Sequence, residues 1–294
     1  MKKVAILGIE NSHSWFFSEM LAGRDGSRRD DIELIGLYAA DINSEDAAIA
    51  LKEIGERSVC DYCAKSYDEF VGKVDAVMIT ARHGGLHLTF AKPYLELGLP
   101  VWIDKPICTS PEDAIELVTL AKKYNAPICG GSMLAFAQGI DDLAKVVATN
   151  KENLRGGHVT APIKLNDPNG GFWFYGQHLV QMLTKVFGYD VRSVKATLGD
   201  GFVEAVYRYD NFNVTAYFGT GFSMTVYSDA NDMQCCKFSL DGCVEAEMDE
   251  FCEMLETGKG VESYKNFIAP VFIIDATIKA YEQGCEVEIH VPEV

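Results

Sequence analysis

The sequence predicts an α/β protein in two parts. A Rossmann-type domain with a parallel sheet is expected over residues 1–130, and an α+β domain with a mostly antiparallel open sheet over residues 131–294. Three observations predict this. Short, nearly continuous aliphatic runs alternate with amphipathic stretches through the first half, as buried parallel strands and crossover helices do. Beyond Gly131 the strand-like segments alternate, are rich in aromatics and are separated by turn residues. The 294 residues are 48% hydrophobic and 23% charged, enough apolar chain for two cores and a composition that argues against disorder.

The first-half strands are expected at Val4–Leu7, Leu34–Tyr38, Val74–Thr80, Val101–Ile103 and Pro127–Cys129. Between them the helical segments are Ser12–Leu21, Ser44–Leu51, Leu86–Leu97 and Pro111–Tyr124. The last has a legible start: Ser110 can cap, Pro111 suits the first helical position and Asp113 sits in the first turn. In the second half, helices are expected at Asp141–Ala148 and Gly176–Val186, with a strand near Val159–Lys164. Strands follow at Val203–Tyr209, Val214–Phe218, Met224–Tyr227 and Lys237–Leu240, then helices at Glu245–Glu256 and Ala269–Glu282. The tyrosines Tyr207, Tyr209, Tyr217 and Tyr227 read as one aromatic sheet face suited to a subunit interface, so a homo-oligomer formed through the C-terminal sheet is expected.

With 26 basic against 43 acidic residues the net charge is -17, a surface that repels phosphate backbones and anionic lipid. Nucleic acid and membrane are therefore excluded as expected partners, and a small-molecule substrate is favoured. No run reaches the ~20 apolar residues of a membrane span, and the apolar start Val4–Leu7, broken by Glu10, reads as a strand rather than a leader. Nine scattered cysteines, with Cys60 and Cys63 forming a lone C-x-x-C, fit reduced thiols and a cytoplasmic location, and no metal site is assigned to them.

In an open parallel sheet, ligands bind beyond the carboxyl ends of the strands. Those ends carry Gly8 to His13, Asp41, Thr80 to His83 with His87 nearby, and Asp104-Lys105-Pro106. The first turn departs from the G-x-G-x-x-G dinucleotide pattern, because Gly8 keeps the first position while Glu10 and His13 occupy the second and third. Two like charges ~4 Å apart repel by about 4 kcal/mol at an effective dielectric near 20, so a Glu10 carboxylate facing a pyrophosphate would weaken or re-route cofactor binding. Asn11 or Ser12 can still cap the helix and leave its N–H groups facing a ligand. Asp41, displaced along the chain by the insertion Arg24–Asp31, suits a ribose diol or the cap of the next helix. Lys105 is aimed by Pro106 and can act as acid or base in a closed cleft.

These residues resemble the Gfo/Idh/MocA oxidoreductases. The resemblance rests on Asp75 to Thr80, His87, Gly98 to Pro106 with its Asp-Lys-Pro turn, Ser66 to Phe70, and Gly170-Gly171 followed by Gly176-Gln177-His178-Leu179. It covers nearly the whole chain. It implies a nicotinamide cofactor, NAD with NADP possible, and an enzyme moving hydride to or from a hydroxyl carbon of a sugar- or polyol-like substrate. It also implies that Lys105 and His178 contact the reacting oxygen; from their place at the strand ends, Gly8, Glu10, Asn11, Ser12, His13, Asp41, Thr80, His83, His87 and Asp104 are expected to line the cofactor. Phe174 stands where the family carries an aspartate, and Gln181 where it often does. Two other readings are a ligand-binding protein that kept the fold without redox chemistry, and a metal-dependent site using His13, His83 or His87 with Glu10 or Asp104.

Overall fold

The computed structural model describes residues 1–229, 233–236 and 239–294. They form two compact units. The first comprises Met1–Cys108, Glu112–Gly131 and Val244–Glu262; the second comprises Thr109–Pro111, Ser132–Cys243 and Ser263–Val294.

The first unit begins β1 (Lys2–Leu7), α1 (Ser12–Ala22), β2 (Ile32–Tyr38), α2 (Glu45–Arg57), β3 (Cys63–Ala64) and β4 (Ala76–Ile79). It continues α3 (His87–Leu95), β5 (Val101–Asp104), α4 (Pro111–Tyr124) and β6 (Ile128–Gly131). The six strands are parallel, in the order β3-β2-β1-β4-β5-β6. Every residue of β4 and β5 is buried, which is why these strands read as unbroken apolar runs rather than as alternation. Strand order reverses between β1 and β4, so the β1–α1 turn lies at the switch point.

Helix starts follow their capping chemistry. Asn11 accepts from the His13 N–H at α1, and Ser44 accepts from the Ala47 N–H at α2. Helix α4 runs as read, with Glu112 and Asp113 in its first turn and Lys122 and Lys123 in its last, each sign matched to the helix dipole. Helix α3 is shorter than Leu86–Leu97, because Gly84–Leu86 forms a 3₁₀ turn in which His83 takes the Gly85 N–H.

The second unit carries α5 (Gln138–Thr149), β7 (Leu154–Ala161), α6 (Phe172–Phe187), β8 (Ser193–Leu198), β9 (Val203–Arg208), β10 (Asn213–Phe218), β11 (Ser223–Ser228) and β12 (Met233–Cys235). After α7 (Cys243–Thr257) come α8 (Tyr264–Gln283) and β13 (Val287–Glu288). The seven-stranded sheet has the order β12-β11-β7-β10-β9-β8-β13, and its one parallel pair is β7 with β10. Its inner face packs Val159, Val214, Phe218 and Met224 against Leu179 and Leu183 of α6 and Ile273 of α8 in one core.

Three expectations are corrected. The strand expected at Lys237–Leu240 falls partly outside the described residues, and Ser239 and Leu240 are not in a strand; Met233–Cys235 pairs with β11 instead. The four tyrosines do not share a face, since strand side chains alternate. Tyr207 is buried against Thr277 and Tyr209 donates to the Gly188 carbonyl, whereas Tyr217 and Tyr227 point outward beside the buried positions Phe218 and Val226. Finally, a single cut after residue 130 misses helix α7. Its Met248, Phe251, Cys252 and Met254 join the core of the first unit, so chain from the C-terminal half completes the N-terminal domain.

Candidate functional site

The β1–α1 turn of the first unit is built on Gly8, whose φ of +82° lies in the left-handed region. A Cβ there would sit 2.4 Å from Ala81 Cα, so only glycine lets β1 and the β4 end approach this closely. Thr80, fully buried, donates its hydroxyl to the Gly8 carbonyl at 2.9 Å. Asn11 ties the same two elements: its Oδ1 accepts from the His13 N–H at 2.7 Å, and its Nδ2 donates to the Thr80 carbonyl and, at 3.4 Å, to Asp104 Oδ2. Ser12 opens α1 on the exposed side of this turn.

The two residues that replace glycines turn in different directions. Glu10 leans toward the end of β2, where its Oε1 accepts from the Asp41 N–H at 2.9 Å. Its Oε2 is buried without a hydrogen-bond partner. The Asp41 carboxylate is exposed and accepts from the Asn43 N–H at 3.0 Å, while its carbonyl accepts from the Ser44 hydroxyl. Asp41 thus also shapes the turn that starts α2, and Glu10 adds a second carboxylate to this corner.

His13 points inward. Its Nδ1 lies 3.0 Å from Asp104 Oδ1 and 4.0 Å from Glu247 Oε2, with all three residues buried. Burial opposes the Asp104 charge, but the His13 ring, the Lys105 ammonium and the Lys105 N–H, at 2.8 Å, hold its pKa below the usual carboxylate value. Glu247 goes the other way: burial, then the charges of Asp104 and Glu250, push its pKa well up. Lys105 follows directly, 7% exposed, at the end of β5.

The other two histidines do not join this cluster. His83 caps the 3₁₀ turn, its Nδ1 accepting from the Gly85 N–H at 3.0 Å. His87 is fully buried, with Nε2 2.8 Å from the Ala81 carbonyl and Nδ1 3.2 Å from the Ile107 carbonyl. Desolvation lowers its pKa, so the neutral ring donates to the nearer carbonyl and braces the loops at the ends of β4 and β5. The turn hydrogen bond of His83 and the burial of His87 set both apart from His13, Asp104 and Glu247.

In the second unit, α6 carries His178, 7% exposed, with Nδ1 2.6 Å from the Ser132 hydroxyl. Ser132 Oγ also accepts from the Leu134 N–H at 3.2 Å, and the Ser132 N–H donates to Gln181 Oε1 at 2.9 Å. When the serine hydroxyl donates to Nδ1, the tautomer it selects carries its proton on Nε2. Gln181 is itself fixed by Gln177 Nε2 at 3.0 Å. Phe174 packs edge-on to Tyr175, and Tyr175 and Phe222 lie against His178 at centroid distances of 6.1 and 6.0 Å.

Sequence reasoning missed Glu247 and Ser132. Glu247 did leave a signal: it stands four residues before Phe251 on the apolar stripe of α7, where an acid has no ordinary reason to be. Ser132 opens a turn one residue after β6 and has no such pattern.

Residues 2–131 match the model of the Gfo/Idh/MocA family, described as an oxidoreductase family with an NAD-binding Rossmann fold. No curated protein matches the chain. Among solved structures, myo-inositol 2-dehydrogenase from Lactobacillus plantarum superposes with a TM-score of 0.82 at 15% identity, over 98% of this chain and 99% of that one. Myo-inositol dehydrogenase from Lactobacillus casei, in complex with NAD(H) and myo-inositol, gives 0.82 at 13% identity over 100% and 98%. Scyllo-inositol dehydrogenase from the same organism, with bound NAD(H) and scyllo-inositol, gives 0.79 at 14% over 98% and 99%. At these identities the superpositions show a shared two-domain fold.

Proposed function

We propose that the chain, whose residues 2–131 match the Gfo/Idh/MocA oxidoreductase model, transfers hydride between NAD and a hydroxyl carbon of a sugar- or polyol-like substrate. The observation that carries the reading is Lys105, buried at the end of β5 inside the matched domain.

The residues of the first turn fit the cofactor. Gly8 keeps the close packing under the turn, and α1 begins at the switch point of the sheet, where its N–H groups suit phosphate. Glu10, held to the Asp41 N–H through Oε1, keeps its carboxylate at the β2 end, beside the exposed Asp41 carboxylate that suits a ribose hydroxyl. Two carboxylates in this corner, Glu10 and Asp41, disfavour a 2′-phosphate and so favour NAD over NADP.

When bound, the nicotinamide supplies the hydride acceptor or donor. Lys105 holds a proton at Nζ and stabilises negative charge developing on the substrate oxygen. His178, its Nδ1 engaged by Ser132, presents Nε2 to exchange a proton with substrate. Gln177 and Gln181 fix the Ser132 backbone and through it the ring. The outward face of the second sheet, with Tyr217 and Tyr227, is assigned to a second copy of the chain, which light scattering would show as a dimer or larger assembly.

The test is NAD reduction by the purified protein across a panel of cyclic polyols and sugars. Turnover with at least one of them, lost in Lys105→Ala while NAD affinity stays, is the expected result. NAD binding without turnover on any panel member would favour the ligand-binding reading. Loss of NAD binding in Lys105→Ala would show that its role is misassigned.

A further inference from the structure

Beneath the first turn, three elements distant in sequence each supply one ligand-type side chain: His13 from α1, Asp104 from β5 and Glu247 from α7. Their donor atoms all lie within 4.8 Å of one another, and all three residues are buried. Both oxygens of Glu247 are buried with no hydrogen-bond partner. An ionised carboxylate out of water needs donors or a cation, and Glu247 also faces a second buried carboxylate, Asp104. Lys105 contributes one positive charge to this neighbourhood, and the Glu250 carboxylate adds a further negative one.

We propose that His13 Nδ1, Asp104 Oδ1 and Glu247 Oε2 form a binding site for one divalent transition-metal ion of the zinc class, seated behind the cofactor turn. One imidazole nitrogen with two carboxylate oxygens suits zinc or manganese better than calcium, which takes six to eight oxygens. Metal–ligand bonds of about 2.0–2.2 Å put neighbouring ligand atoms about 3.0–3.6 Å apart. The His13–Asp104 separation of 3.0 Å already falls there, and the 4.0 Å to Glu247 closes with a shift under an ångström. Asp104 has the outer contacts a ligand needs, from the Asn11 amide at 3.4 Å and the Lys105 N–H at 2.8 Å. Three protein ligands leave a fourth position for water, and the ion would pin α7 to the domain it completes.

The test uses the full chain, purified without chelator and then as a metal-stripped form. Elemental analysis is expected to find about one zinc or manganese per chain. Zinc added to stripped protein should raise its melting midpoint, and cobalt should give the visible absorption of a bound low-symmetry ion. Glu247→Gln keeps the side-chain volume, removes one buried negative charge and is expected to weaken zinc binding more than about tenfold. Its metal-free midpoint should equal or exceed that of the stripped wild type. If Glu247→Gln does not fold, His13→Gln serves for the same measurement. No metal in the purified protein together with no zinc-induced shift in the stripped wild type would overturn the proposal and leave Glu247 as a buried, protonated acid. Equal zinc affinity in wild type and Glu247→Gln would overturn it as well. NAD-induced stabilisation of the stripped protein is read separately, so failure here is distinct from failure of the oxidoreductase reading.

Discussion

The surroundings of Lys105 and those of His178 solve the same problem, holding a titratable side chain at a fixed place, in opposite ways. Lys105 stands among charges: Asp104 and Glu247 are fully buried, and His13 is within 3.0 Å of the first. His178 stands among neutral partners, the Ser132 hydroxyl and an aromatic shell, with Gln181 and Gln177 bracing the serine. Charged groups in a low-dielectric setting act strongly and over distance, while neutral hydrogen bonds act locally and set a tautomer. On the proposed function, the charged region acts on ion and cofactor binding and the neutral one on proton placement.

That contrast is broken most sharply at Lys105. Lys105→Ala is expected to lower kcat by about 10²–10⁴-fold with the Kd for NAD unchanged, measured by steady-state turnover and by titration of the purified variant. Glu10→Gln comes next: removing this negative charge beside Asp41 should narrow the preference for NAD over NADP by roughly tenfold, measured as the ratio of their Kd values. An unchanged ratio would show that the Glu10 charge plays no part in the choice of cofactor. On the neutral side, Ser132→Ala is expected to lower kcat several-fold and shift its pH profile, because the ring loses the donor that fixes its tautomer, with little effect on NAD affinity. A variant with wild-type kcat and pH profile would leave His178 positioned by packing alone.

The smallest effect is on stability. The His87 pKa is lowered by burial below the ordinary value of 6.5. Below pH 6.5 the unfolded chain takes up a proton that the folded chain refuses. The stability contributed by neutral His87 is therefore present above pH 6.5 and lost as pH falls toward the folded pKa, by at most about 1.4 kcal/mol per pH unit. Denaturant unfolding of wild type and His87→Gln between pH 5 and 7 should show a steeper acid-side loss in the wild type, and parallel curves would contradict the assignment.

The fold was legible because its signals are local. Buried strands announce themselves as apolar runs, and helices α1, α2 and α4 by their caps. Strand β8 escaped, since its buried side chains are only Ser193, Val194 and Ala196. The site was legible only along the turn itself. Gly8, Asn11, His13, Thr80 and Asp104 do converge, because strand ends in a parallel sheet bring them together. What could not be read was direction: whether Glu10 faces phosphate or leans to β2, and whether His83 or His87 looks outward, depends on hydrogen bonds to Asp41, Gly85 and Ala81. Glu247 was out of reach for a different reason, as 143 residues separate it from Asp104 and only the return of α7 to the first unit joins them.

The central claim, a nicotinamide enzyme whose worn glycine turn has been rebuilt with side chains that still admit NAD, is tested most directly by thermal unfolding of the metal-defined protein in NAD and NADP. At 100 times its Kd a ligand adds about 2.7 kcal/mol of stability, so NAD should raise the midpoint by several degrees and NADP by less. A midpoint unmoved by millimolar NAD, NADH, NADP and NADPH would contradict the account.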